Sequence, residues 1–127
     1  MRRSDLHVLR AALAAAAHGG VPRHSALRLL QCLEKSEPGS DIRLHGIPLL
    51  GQVPLTAARD WLVKLAVPRR RFFRRLSLHP KTAELLSVLR VLSAHWAKDS
   101  AAAVAFRLAA KSDDVEVRDA AHVTVPR

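Results

Sequence analysis

The sequence predicts an all-α protein, and two observations carry that prediction. Ala, Leu and Arg, all strong helix formers, dominate the 127 residues, whereas aromatic residues make up 4% and Tyr is absent. Apolar residues also recur at intervals of three and four, the period of a helix buried on one side. We therefore expect a compact antiparallel bundle of five to six helices, with residues 1–127 forming a single helical domain.

The first two helices are predicted on either side of a Gly-Gly turn. The apolar stripe of the first helix consists of Leu6, Leu9, Leu13 and Ala17. Gly19-Gly20 ends this helix, and Pro22 suits the first turn of the second, because its missing N–H costs nothing there. The second stripe consists of Ala26, Leu29, Leu30 and Leu33.

The third and fourth helices differ in the strength of their signals. Ser40 or Asp41 could cap a short third helix that ends at Leu50, but Gly46 and Pro48 both weaken a helix interior. The fourth helix is predicted between Pro54 and Pro68. Its core face consists of Ala58, Trp61, Leu62 and Leu65.

The fifth helix has the strongest pattern, and the tail leaves two alternatives open. Leu85, Leu89, Leu92 and Trp96 share one side of the fifth helix. After a cap at Asp99 or Ser100, the tail is either one long helix or two helices over 100–111 and 114–124, divided by a capping box of Asp113 and Glu116. The expected core anchors are Trp61, Phe72, Phe73, Trp96 and Phe106.

No pattern in the sequence indicates catalysis, a cofactor or a metal site. The seven His residues lack the i, i+4 spacing of a zinc-binding helix and lie near no cysteine pair. Cys32 is expected to be a buried small hydrophobe, and the glycines form no phosphate-binding loop. The sequence therefore predicts a protein that is not an enzyme.

The sequence also predicts a cytoplasmic protein. The longest uncharged apolar run, residues 11–17, is far shorter than the ~20 residues that cross a bilayer. A single cysteine gives no reason to expect an oxidising compartment. The inner face of the cytoplasmic membrane is a further expected location, because basic segments gather there.

The candidate interaction site is an arginine-rich segment whose five arginines are Arg69, Arg70, Arg71, Arg74 and Arg75. Residues 1–98 hold 17 basic and six acidic side chains and residues 99–127 hold four and five, so the net charge of +10 is concentrated in the first part. The segment is either a solvated loop without a ligand or a site for an anionic partner. That partner would be an acidic protein surface, an anionic membrane face, or a nucleic acid whose bases stack on Phe72 and Phe73.

The order of the turns resembles a known family. Residues 9–13 (LRAAL) followed by residues 19–27 (GGVPRHSAL) resemble the opening of the cytoplasmic domain of type II secretion F proteins and their Tad-pilus relatives, and residues 50–58 (LGQVPLTAA) resemble the second Gly-containing turn of that domain. Residues 89–97 and 101–121 resemble the last two helices of that domain, although residues 97–101 (AKDSA) depart from its Gly-Glu-x-x-Gly turn. The resemblance implies a six-helix antiparallel bundle.

The sequence as a whole therefore predicts a non-enzymatic protein-interaction or scaffold domain. The resemblance implies the cytoplasmic assembly domain of a secretion or type IV pilus-like inner-membrane platform. The alternative is a nucleic-acid-binding helical protein that uses the segment from Arg69 to Arg75. A second copy of the chain is a further candidate partner.

Overall fold

The computed structural model describes residues 3–53, 55–68 and 77–122, with side chains from residue 7 onward. Within these ranges the chain forms seven helices and no strand: α1 (Arg3–Ala17), α2 (Arg23–Lys35), α3 (Asp41–Leu50), α4 (Thr56–Ala66), α5 (Ala83–His95), α6 (Ala103–Ala110) and α7 (Val115–Ala120). The helices pack against one another around a shared apolar core. The prediction of an all-α bundle is confirmed.

The described helices number seven, rather than five to six, because the third helix forms and the tail divides into two. The dividing residue is Asp114, one position after the predicted Asp113. Its carboxylate oxygen Oδ1 accepts the backbone N–H groups of Glu116 at 2.9 Å and Val117 at 3.4 Å and so caps α7. The division therefore follows from capping chemistry, as the two-helix alternative proposed.

Two helices, α3 and α5, hold the core together. α3 packs against α1, α2 and α5, while α5 also packs against α4, α6 and α7. The largest fully buried side chains come from α2 to α5 and are Leu29, Leu33, Ile47, Leu50, Leu62, Val88, Leu89 and Leu92. The leucines predicted for the stripes of α2 and α5 are buried as expected, whereas Trp96, also predicted for α5, follows the end of that helix and is only partly buried.

The buried side of α1 is rotated relative to the predicted stripe. Leu9 and Ala12 are buried, and Val8 and Ala16 pack partly against the core, whereas Leu13 is 44% exposed. Leu13 was expected to face inward because its spacing from Leu9 fits a helical stripe. The core instead lies toward Ala12, so the large side chain of Leu13 remains at the surface.

α3 forms in spite of Gly46 and Pro48. An interior proline costs about 3 kcal/mol or more, but α3 buries Ile42, Ile47, Leu49 and Leu50, and full burial of each such side chain contributes about 1.5–3 kcal/mol. Gly46 is also a point of close approach, because a Cβ placed there would lie 2.8 Å from Leu33 Cδ2. Burial therefore outweighs the poor local propensity.

The aromatic anchors sit at the edge of the core rather than at its centre. Trp61, Trp96 and Phe106 are partly buried and pack against the apolar cluster. Phe72 and Phe73 lie outside the described residues. Cys32, expected to be buried, is only partly so. Among the residues that the structure describes, the centre of the core therefore consists of aliphatic side chains.

Candidate functional site

The five predicted site residues, Arg69, Arg70, Arg71, Arg74 and Arg75, lie outside the described residues. The chain on either side of them is firmly placed. The backbone N–H of His79 donates to the carbonyl of Ala66, at the end of α4, over 2.8 Å. Val67 is buried and Leu78 packs partly against the core. The described residues before and after the arginine-rich segment therefore meet at one point of the fold.

An open groove of 730 Å³ lies beside this point, between α4 and the start of α6. Its lining consists of Asp60, Val63, Lys64, Val67, Pro68, Ala101 and Val104. Most of these side chains are apolar, and Pro68 is covalently followed by Arg69. We call this the α4 groove. It offers apolar side chains of a partner a place to bind next to the arginine-rich segment.

An ionic network contacts two of the residues that line the α4 groove, Asp60 and Ala101. Arg59 on α4 binds Asp99 Oδ2 at 2.8 Å and Asp60 Oδ1 at 2.7 Å. Asp99 Oδ1 accepts the backbone N–H groups of Ala101 and Ala102 at 2.8 and 3.2 Å. Asp99 therefore caps the turn that leads into α6, as predicted, and also ties this turn to α4.

The network changes the acidity of Arg59 and Asp99. The hydrogen bond to Asp99, followed by that to Asp60, raises the pKa of the Arg59 guanidinium above its ordinary value. Desolvation favours protonated Asp99, but the hydrogen bonds from Arg59, Ala102 and Ala101 outweigh it and lower the pKa of this carboxyl. The Asp99 carboxylate is thus stabilised as an anion. Lys64, on the rim, forms no ion pair with any described residue.

A second open pocket, of 750 Å³, lies at the end of α5. Its lining consists of residues 93–99 and His122, including the rings of His95 and Trp96 and the ammonium group of Lys98. The one carboxylate in the lining is Asp99, whose oxygens already accept hydrogen bonds from Arg59 and from two backbone N–H groups. This pocket therefore does not pair its imidazoles with a free carboxylate.

The histidines are dispersed over the surface. His7, His18, His24, His45, His95 and His122 are exposed, and His79 is partly buried. Across the described ranges, no three His, Cys, Asp or Glu side chains come together in a way that could hold a metal ion. None of the described helices is both long and apolar enough to span a membrane.

Sequence reasoning missed the buried pair of Arg43 and Glu84. Arg43 Nη1 lies 3.3 Å from Glu84 Oε1, and the two side chains are 7% and 9% exposed. Arg43 also donates to Ser36 Oγ at 2.9 Å and to the Ser36 carbonyl at 2.8 Å, and its guanidinium lies 5.3 Å from the Trp61 ring centre.

The pair acts as a structural link between four parts of the fold. Glu84 Oε1 also accepts the backbone N–H of Gly39 at 3.1 Å. The contacts thus join the end of α2, α3, α4 and α5. The sequence did contain one signal of this pair, since both charged residues fall on the apolar sides of their helices. Arg43 shares the apolar side of α3 with Ile47, and Glu84 precedes Val88 by one turn of α5.

Comparison with known proteins adds no family: no protein-family model, curated protein or solved structure matches the chain.

Proposed function

We propose that the protein is a non-enzymatic interaction domain that binds an acidic segment of a partner protein through the α4 groove. The observation that carries the proposal is that this apolar groove is lined by Val67 and Pro68, which immediately precede the arginine-rich segment in the sequence and lie beside the hydrogen bond of His79 to Ala66. Apolar lining and adjacent positive charge call for a partner with both apolar and acidic side chains.

The chemistry of the groove favours a protein partner over the other candidates. Val63, Val67 and Val104 would bury apolar side chains, which a phosphate backbone does not supply. Lys64 has no carboxylate partner in the described ranges, so it is available to an acidic side chain of the partner. A second copy of the chain is disfavoured, because it brings a net charge of +10 to a basic site.

The specific form of this role is the cytoplasmic assembly domain of a secretion or type IV pilus-like platform. The resemblance of residues 9–27 and 50–58 to that domain supports it, and so does the all-α bundle. In such a platform the acidic segment would belong to another component of the same assembly.

Site-specific cross-linking in the native host tests the proposal. A photoreactive residue replaces Asp60, which is exposed and lines the α4 groove, and a matched residue replaces Gln31, which is exposed on α2. We expect cross-links at position 60, absent at position 31, to a partner peptide that contains acidic and apolar residues. Adding Lys64→Glu should lower their yield roughly threefold, because attraction becomes repulsion, whereas Lys35→Glu should leave it unchanged.

The same experiment separates the proposal from its alternative. Nuclease-sensitive cross-links to nucleic acid at position 60 would instead support a nucleic-acid-binding protein that uses the arginine-rich segment. Equal cross-linking at positions 60 and 31, or a peptide without acidic residues, would contradict the α4 groove as the binding site. A peptide from a secretion or pilus component would support the platform role.

A further inference from the structure

The α1–α2 hairpin is basic, and its two carboxylate residues, Asp5 and Glu34, belong to the ends of the helices that are far from the turn. Between His7 and Leu33 the sequence has no Asp or Glu. Arg10, Arg23 and Arg28 are exposed, and none of them forms an ion pair with a described residue. Their charges are therefore not neutralised by nearby carboxylates and are available to an external anion.

Two leucines lie among these arginines. Leu13 is 44% exposed and Leu27 is 40% exposed, although both are large apolar side chains. Arg10 precedes Leu13 by three residues and Arg23 precedes Leu27 by four, so each leucine shares a side of its helix with an arginine. We call these five residues the hairpin surface: Arg10, Leu13, Arg23, Leu27 and Arg28.

Both leucines lie near the same end of the hairpin. α1 and α2 pack against each other and are joined by residues 18–22. Leu13 stands four residues before the end of α1 and Leu27 four residues after the start of α2, which is about 6 Å along each helix. Apolar and cationic side chains are thus combined close to the turn.

We propose that the hairpin surface binds an anionic lipid bilayer. The guanidinium groups would bind headgroup phosphates, which they match with paired N–H donors. Leu13 and Leu27 would enter the boundary between headgroups and acyl chains, as the apolar side chains of interfacial helices do. The absence of carboxylates between residues 7 and 33 avoids repulsion from the negatively charged surface.

A bilayer fits this surface better than an acidic protein does. A protein partner places its apolar side chains in pockets of the protein that it binds, whereas here Leu13 and Leu27 are themselves exposed, at 44% and 40%, and would enter the partner. A fluid bilayer accepts such side chains without a preformed pocket. The proposal goes beyond the protein-binding role of the α4 groove, since it concerns a different surface and a different class of partner.

Vesicle binding by two charge-matched variants of the full chain tests the proposal. The first is Arg10→Gln/Arg23→Gln/Arg28→Gln. The control, Arg90→Gln/Arg107→Gln/Lys111→Gln, removes the same charge from exposed positions outside the hairpin. Each basic side chain near an anionic surface is worth about fivefold in affinity. We expect phosphatidylglycerol vesicles to sediment the hairpin variant with at least tenfold lower affinity than the control, and phosphatidylcholine vesicles to bind neither.

A second pair of variants tests the contribution of Leu13 and Leu27 to vesicle binding. Leu13→Ser/Leu27→Ser leaves the charge unchanged and should weaken binding to phosphatidylglycerol several-fold at moderate salt. Val115→Ser, at an apolar position that is 58% exposed on α7, should not. Equal weakening by the two charge variants, or no effect of the leucine variant, would overturn the proposal. So would binding of soluble polyglutamate, rather than vesicles, with the same dependence on the hairpin arginines.

Discussion

Arg43 and Glu84 are the two charged residues that the described part of the chain buries. Removing two charges from water is costly, and their attraction offsets this cost only where hydrogen bonds satisfy the remaining donors and acceptors. Ser36 and Gly39 supply those hydrogen bonds. The pair therefore contributes little net stability, but the loss of one member leaves the other charge buried without its partner.

Single and double replacements should separate these two effects. Glu84→Leu should lower the free energy of unfolding by about 3–5 kcal/mol, because Arg43 stays buried without its carboxylate. Arg43→Met/Glu84→Leu should be more stable than the single variant, since no unpaired charge remains. Urea denaturation measures both.

The exposed pair of Lys81 and Glu116 provides the control for that comparison. Lys81→Met should shift the urea midpoint far less than Glu84→Leu does, because water solvates the carboxylates that it leaves behind. If Arg43→Met/Glu84→Leu loses as much stability as the single variants Glu84→Leu and Arg43→Met lose in sum, the charges of Arg43 and Glu84 do not interact.

At the level of single residues, the sequence predicts contacts between neighbours in the chain, such as helix caps, but not contacts between distant residues. Asp99 was predicted as one of two caps because it precedes a helical pattern, and its carboxylate does cap the turn before α6. Its bond to Arg59 spans 40 residues of sequence and could not be predicted from spacing. Arg43 and Glu84 were missed for the same reason, since the contact between α3 and α5 is tertiary.

Among the elements, the turn from residue 99 to residue 102 joins α4 to α6 through one carboxylate. The pKa of Asp99 is lowered in the folded protein. The unfolded chain therefore takes up the proton first as the pH falls. The stability that this carboxylate contributes is complete above its unfolded pKa of about 3.9 and is lost as the pH falls toward the lower folded value.

Asp99→Asn should reveal this dependence. Asn can still accept the capping hydrogen bonds, so the variant removes mainly the charge that faces Arg59. We expect the variant to be less stable than the wild type at pH 7 and the difference to shrink below about pH 4, as measured by urea unfolding from pH 2 to pH 7. A difference that stays constant over this range would rule out the ionised carboxylate as its source.

The elements themselves could be predicted to different degrees. α2 and α5 have regular stripes and formed as expected, because their buried sides agree with the helical period. α3 was uncertain, since local propensity counts against Gly46 and Pro48 while the burial of Ile47 and Leu50 depends on neighbours that the sequence does not identify. Leu13 of α1 is exposed for the same reason, because the side of a helix that faces the core is decided by tertiary contacts.

At the scale of the whole molecule, the stability of four other helices depends on their packing against α5. It packs against α3, α4, α6 and α7, and seven of its thirteen residues are buried. α7 has six residues, of which Val117 and Ala120 are buried. Stability should therefore be distributed unevenly across the fold.

Amide hydrogen exchange should resolve this distribution. We expect the amides of Leu89 and Leu92 to exchange only through global unfolding, so that low urea accelerates their exchange. The amides of α7 should exchange by local opening, faster and with little dependence on urea, because that opening exposes little surface. Equal protection of α5 and α7 would show that the bundle opens as one cooperative unit.

The hydrogen bond between the backbones of His79 and Ala66 joins the described residues that precede and follow residues 69–76. Because both of its atoms belong to the main chain, it does not depend on which side chains the chain carries between them. Substitution of the five arginines leaves both partners of this hydrogen bond unchanged. The charge carried by these positions can therefore vary in evolution while the end of α4 and the approach to α5 stay joined.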